Sequence, residues 1–254
     1  MIILLSKRTL IGVLVVLMTV GFVGGAFAHI SRERGKHDFS GIVWAVDTPE
    51  KVISLTFDDG PDPEYTPMIL DILEKNGIKG TFFTVGKQVE DFPEIAKMIV
   101  EKGNEIANHT YTHPRLNRLR MDQLNVELEK AHQAIVAQTH VAPTLFRPPG
   151  GFYNEAIVDL AKKKGYKVIL WSWTQDTKDW ANPGTNNIIK KVLKNAENGD
   201  IVIFHDCGGN RMQTIKALQP VIDGLKKDGF KMITVSELLK KGETKEVLNK
   251  SFFE

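Results

Sequence analysis

Two acids stand side by side, Asp58 and Asp59, at the end of VISLTFDDGP, and two histidines stand four residues apart, His109 and His113, in NHTYTHP. Further on, Arg147 opens RPPGG, Asp176, Asp179 and Trp180 fall in SWTQDTKDW, and His205-Asp206 close DIVIFHD. One carboxylate with two imidazoles suits a divalent cation, and a three-residue ligand set leaves coordination positions open, as catalytic rather than structural sites do. Asp59, His109 and His113 are therefore read as ligands. The histidine spacing lets both rings face one point if that segment forms a helical turn. Adjacent carboxylates repel, so Asp58 needs a cation of its own, and the guanidinium of Arg147 is suited to it. Each piece also has an ordinary reading. Asp-Asp-Gly-Pro makes a turn, HTYTHP a polar loop, and His205 an interior hydrogen-bonded histidine. Trp171, Trp173 and Trp180 read first as core, and His29, His37, His132 and His140 as structural or solvated.

What speaks for chemistry is where these residues fall. Short β-branched or aromatic runs recur at 52–57, 80–85, 104–108, 144–147, 167–173, 200–204 and 231–235, with amphipathic stretches between them. Leu124, Leu128, Ala131 and Ile135 make one helical stripe; Ile188, Ile189, Val192, Leu193 and Ala196 make another. KKKGYK and KKDGFK each place glycine after a basic last turn, a helix-stop signal. Strand alternating with helix means parallel strands covered on both faces, so the strands read as continuous apolar runs. The expected fold is α/β, a distorted (β/α) barrel of about seven parallel strands, with an open doubly wound sheet as the alternative. In either, polar residues just past the strand ends gather at one face, where sites form. Five separate segments deliver reactive side chains to that rim.

The chain has 254 residues, 42% apolar and 25% charged, with a formal net charge of +2. That suits one globular domain and gives no broad basic surface for nucleic acid. No GxGxxG or GxxxxGK[ST] loop suggests a nucleotide. Lys7 and Arg8 precede a run, Thr9 to Ala28, without a charged residue, ending in Ala26-Phe27-Ala28. Residues 1–28 are expected to be a signal peptide or a membrane anchor, which places the rest outside the cytoplasmic membrane, secreted to the cell wall or anchored by residues 9–28. Residues 29–50 read as a tether with a short ordered approach from Gly41, residues 51–242 as the domain, and residues 243–254 as a peripheral tail. The one cysteine, Cys207, allows no internal disulfide.

Taken together, TFDDGP, HTYTHP, RPPGG, DTKDW and IFH, in this order, resemble the polysaccharide deacetylase family with its NodB-homology domain, carbohydrate esterase family 4, over about residues 51–240. The resemblance implies a NodB-like distorted barrel and metal-dependent removal of N-acetyl groups from N-acetylglucosamine polymers. It implies Asp58 as general base, and Asp59, His109 and His113 as ligands of a metal, most commonly Zn2+, with Co2+, Ni2+ or Mn2+ as alternatives. Arg147 would orient Asp58, and Asp179 would orient and tune His205, the general acid. Ile203 and Trp180 would line the pocket for the acetyl methyl, and the N–H of residue 150 would help hold the oxyanion. Where the family often carries an aromatic residue, this chain has Gly150, which keeps the N–H and loses the side chain. The implied partner is a polysaccharide, peptidoglycan or a chitooligosaccharide, acted on by a monomer. Two other classes stay open: a glycoside hydrolase, whose carboxyls must flank a sugar ring whereas adjacent strand residues point to opposite sides, and a non-catalytic glycan-binding protein.

Overall fold

A computed structural model describes residues 41–246. The leader or anchor expected at residues 9–28, the tether up to residue 40 and residues 247–254 of the tail lie outside the described residues. Among the described residues no helix is long and apolar enough to cross a membrane.

The chain runs β1 (Ile42–Asp47), β2 (Val52–Asp58), α1 (Tyr65–Lys75), β3 (Thr81–Thr84), α2 (Gly86–Asp91), α3 (Pro93–Glu101), β4 (Glu105–Asn108), α4 (Met121–Thr139) and β5 (Leu145–Phe146). It continues with α5 (Glu155–Lys163), β6 (Lys167–Ile169), α6 (Thr185–Lys194), β7 (Ile201–His205), α7 (Met212–Lys227), β8 (Lys231–Met232), α8 (Val235–Leu238) and β9 (Glu243–Glu246). Seven strands lie side by side in the order β7-β2-β3-β4-β5-β6-β1, and every pairing along that path is parallel. The sheet curls until β1 returns to the start of β7: Val46 N–H donates to the Gly199 carbonyl at 2.9 Å, and Ala45 bridges Asp200. The curled sheet excludes the open doubly wound alternative.

The strand count is as expected, but the membership differs. Ile42–Asp47 is a full sheet strand, not an approach segment, and four of its six residues are buried. At the other end KMITV contributes only Lys231–Met232. Thr234 then caps α8: its hydroxyl accepts from Glu237 N–H, and the Glu237 carboxylate accepts from Thr234 N–H, a capping box that draws the chain out of the sheet. Glu243–Glu246, expected in the tail, pairs antiparallel with β1.

Burial explains why the remaining runs are strands. All seven residues of β2 are buried, as a parallel strand covered on both faces requires. Phe57 stacks on Phe82 and Phe204, with ring centroids 4.9 and 5.7 Å away, which ties β2 to both neighbours. Leu124, Leu128, Ala131 and Ile135 of α4 are all buried, and each large aliphatic side chain so buried contributes about 1.5–3 kcal/mol. In the α6 stripe, Ile188 and Val192 are buried; Ala196 lies past the helix end but still packs on the same core. Gly165 and Gly229 follow α5 and α7 with φ of 81° and 85°, the left-handed conformation that ends a helix.

Candidate active site

The C-terminal ends of β2 and β7 lie together because Asp58 and His205 are register partners across that parallel pair. Asp58 is the last residue of β2 and is buried. Its Oδ1 accepts from Arg147 Nη1 at 2.6 Å. Arg147 is itself fully buried; it also donates to Thr56 Oγ1 and to the carbonyls of Ile169 and Leu170, and it lies 3.9 Å from the Phe83 ring centroid. Burial works against its charge and lowers it, and the charge and hydrogen bond of Asp58 offset only part of this. The expected Asp58–Arg147 pair is thus formed, and its geometry fixes the carboxylate.

Asp59 turns away from the strand with φ of 81°. That conformation defeats the strand alternation expected to separate the two acids: His109 Nε2 lies 3.5 Å from Asp59 Oδ1 and 3.9 Å from Asp58 Oδ2. His113 Nε2 lies 3.2 Å from the same Asp59 oxygen, and the candidate donor atoms of Asp59, His109 and His113 all fall within 4.8 Å of one another. The histidines do not reach this point through a helical turn. They flank a loop in which Thr110 and His113 have φ of 69° and 56°. The loop is pinned by Asn108, whose Oδ1 accepts from Thr110 N–H, and by Glu127 of α4, whose carboxylate accepts from Tyr111 N–H, Thr112 N–H and the Thr112 hydroxyl. Nothing about Glu127 marked it in the sequence, since it sits beside the apolar stripe of α4 and reads as a solvated acid.

The trio fits a cation. His109 Nδ1 is 2.7 Å from the Arg147 carbonyl, which can only accept, so Nδ1 carries a proton and Nε2, on the Asp59 side, is the nitrogen left to ligate a cation once it gives up its own proton. Burial pushes the Asp59 carboxyl up, but hydrogen bonds from His109 and His113 and the charges of His109 and His205 outweigh it and hold Asp59 well below the usual carboxylate range. Exposure is graded: the side chains of His109, Asp59 and His113 are 2%, 22% and 43% exposed. A cavity of about 340 Å³ adjoins them, lined by Asp59, His113, Val85, Gln88, Cys207 and Gly208 among others.

On the other strand, His205 Nδ1 donates to Asp179 Oδ1 at 2.6 Å. Asp179 Oδ2 accepts from His205 N–H at 2.9 Å and from the Thr214 hydroxyl at 2.7 Å. The segment carrying Asp179 is docked along β7: Asp176 bridges Ile203, and the Thr177 hydroxyl donates to the Ile203 carbonyl. Burial would push His205 down, but the hydrogen bond and charge of Asp179, and then the charges of Asp59 and Asp58, raise it to about 9. Ile203 is buried two residues before His205, on the same strand face. Trp180 and Trp173 are 56% and 70% exposed, so neither is the core residue first expected. Gly150 lies on the exposed surface with φ of 63°. A Cβ there would stand 3.0 Å from the Phe152 ring, which occupies the space a side chain at 150 would use.

One acid beside the site that the sequence did not single out is Asp206. It is buried; Oδ1 accepts from Gly60 N–H at 3.0 Å and Oδ2 from the Thr66 hydroxyl at 2.5 Å. Burial, against the Thr66 hydrogen bond, and then the charges of Asp59 and Asp58 push it up to about 7.

A curled parallel sheet with an Asp-His-His cluster, an Arg-held acid and an Asp-held histidine at one rim is a barrel-like α/β fold with a candidate metal centre, and comparison with known proteins gives the family. Residues 45–169 match the polysaccharide deacetylase family. A peptidoglycan-N-acetylglucosamine deacetylase of Bacillus cereus is 44% identical over 202 residues, covering 78% of this chain and 93% of that one. A solved peptidoglycan N-acetylglucosamine deacetylase superposes with a TM-score of 0.76 at 31% identity, over 81% of this chain and 95% of that one. A solved pseudoenzyme of the same carbohydrate esterase family, from Bacillus anthracis, superposes with a TM-score of 0.74 at 32% identity, over 82% of this chain and 73% of that one. The chain belongs to the polysaccharide deacetylase family.

Proposed function

We propose that this protein hydrolyses N-acetyl groups of N-acetylglucosamine residues in cell-wall peptidoglycan, releasing acetate. The observation that carries this reading is the pairing of Asp58 and His205 across β2 and β7, with the Asp59–His109–His113 cluster beside Asp58. A divalent cation, zinc by donor chemistry, would be held by Asp59 and the two Nε2 atoms; when bound it polarises a carbonyl and makes water acidic. Asp58, immobilised through Oδ1 by Arg147, takes the proton from the attacking water. The Gly150 N–H, which donates to no group among the described residues, is a donor for the oxyanion, and one such donor is worth about 3 kcal/mol. The leaving amine is too basic to depart as an anion, so the C–N bond breaks as the His205 imidazolium gives up its proton to nitrogen. Asp179 keeps that imidazolium charged. Ile203 offers an apolar wall for the acetyl methyl, and Trp180 a face on which a pyranose ring stacks. Export fits a wall substrate: residues 9–28 would serve as a cleaved signal or a retained anchor, and the domain acts as a monomer.

Purified protein incubated with peptidoglycan and with chitooligomers, with and without added Zn2+, tests this directly. Acetate release from peptidoglycan that stops on chelation and on Asp58→Asn is expected. New reducing ends without acetate would make it a glycosidase. Binding without either product would make it a non-catalytic relative, as the pseudoenzyme in the family shows can occur. The glycosidase reading is disfavoured because Asp58 and Asp59 converge on one imidazole nitrogen instead of flanking a ring.

A further inference from the structure

The turn that carries both acids of the site, Asp58-Asp59-Gly60, is held from behind by a third acid. Asp206 follows His205 at the end of β7; its N–H donates to the Asp58 carbonyl at 3.1 Å, and its Oδ1 accepts from Gly60 N–H at 3.0 Å. Its other oxygen accepts from the Thr66 hydroxyl at 2.5 Å, and Thr66 Oγ1 in turn accepts from Asp62 N–H at 2.8 Å. One side chain therefore grips the turn immediately after Asp59 and, through Thr66, the turn's far end at the start of α1. The fit is close: a Cβ on Gly60 would stand 2.2 Å from Asp206 Oδ2, so glycine is required there by the carboxyl itself.

Two features separate Asp206 from an ordinary turn staple. It is almost fully buried, and among the described residues no Lys, Arg or His lies within ion-pair distance of it. An uncompensated buried acid is costly, and here it is placed behind two further carboxylates. Asp59 also sits at φ of 81°, a conformation that an aspartate holds only when its surroundings over-determine it, and the Asp206–Gly60 bond is the adjoining restraint.

We infer that Asp206 is a positioning residue for the metal site: through Gly60 and Thr66 it fixes the strained turn that aims the Asp59 carboxylate at the cation. The inference rests on the metal-dependent deacetylase reading. Its test is titration of the chelator-stripped full chain with Co2+, whose visible absorption reports ligand number and geometry independently of activity. Outer partners of metal ligands typically change affinity by about 10- to 100-fold, so Asp206→Ala is expected to weaken Co2+ binding by that factor and alter the absorption band. Thr66→Val, which removes the Oδ2 partner, is expected to weaken binding several-fold, and Thr66→Ser, which keeps the hydroxyl, to restore it. A folded Asp206→Ala variant, judged by unchanged near-ultraviolet circular dichroism, that binds Co2+ within about two-fold of wild type and with the wild-type band overturns the inference. If that variant does not fold, Thr66→Val decides: wild-type affinity and spectrum in it overturn the inference equally. A wild-type chain that takes up no Co2+ overturns the deacetylase reading and this inference with it. Uptake by wild type with unchanged variants overturns this inference alone.

Discussion

Asp179→Asn is the most informative single perturbation of the proposed chemistry. Asp179 is buried and gives three acceptor bonds, to His205 Nδ1–H, His205 N–H and Thr214. In the wild type burial lowers His205, but the hydrogen bond and charge of Asp179, with the more distant charges of Asp59 and Asp58, raise it from 6.5 to about 9. Removing the Asp179 charge leaves burial dominant, so His205 should fall toward or below 6.5. A fall of that size is about 3 kcal/mol of lost preference for the imidazolium. At pH 7.5 the protonated fraction would drop about ten-fold, from nearly complete to roughly a tenth. The assay is acetate release against pH on a metal-loaded enzyme. The proposed acid must be protonated, so the alkaline limb of kcat reports His205. A cation at the trio cancels the Asp59 contribution in both proteins, so the wild-type limb lies at or below about 9 and the difference between the two proteins carries the prediction. The variant limb should move acid-ward by one to two units or more, by about the share of the shift that Asp179 supplies. Stability follows the same sign. Because the folded-state value is raised, the pair's contribution is fully present below 6.5 and is lost as pH rises through about 9. The Tm gap between wild type and variant should therefore narrow across that window. An alkaline limb within half a unit of wild type, in a folded variant, would refute His205 as the acid tuned by Asp179.

Arg147→Met should abolish turnover and lower stability by about 3–5 kcal/mol in urea unfolding, because it strands Asp58 as a buried unpaired charge. His109→Ala and His113→Ala should both lose metal by elemental analysis. Only His109→Ala should also lower Tm appreciably, since His109 is buried and bonded to the Arg147 carbonyl while the His113 side chain is 43% exposed. Gly199→Ala should destabilise by about 2 kcal/mol or more, measured by thermal unfolding. A Cβ there would stand 1.8 Å from the Val46 carbonyl, at a φ of 81° that alanine resists, and would pry open the seam between β1 and β7.

That Asp59, His109 and His113 would meet was legible because ligand chemistry restricts residue type, and the strand-end position restricts direction. What the sequence could not show was how the backbone turns to deliver those groups. The left-handed Asp59 and the loop 109–113 are set by tertiary partners, Asp206 and Glu127, whose residue types are common on any surface. The fold was legible where apolar runs were long. It was obscure at the seam: IVWAVD follows a polar stretch, and its burial depends on the curl of the whole sheet, which no local pattern encodes. TVSE, by contrast, carried a capping-box signature that explains why the last run stops short as a strand.

Arg147 has one further consequence. Its guanidinium is held by Asp58 on β2 and by the carbonyls of the last residue of β6 and the one after it, so the residue proposed to hold the base is also a strut across the barrel interior. Evolution cannot discard one office and keep the other: a descendant that mutated Asp58 would inherit a stranded interior cation and would have to rebuild that neighbourhood before it could persist as a silent copy. Loss of activity in this lineage should therefore arrive with compensating changes around position 147, and a homologue with Asp58 replaced but Arg147 untouched should unfold more readily than its active kin.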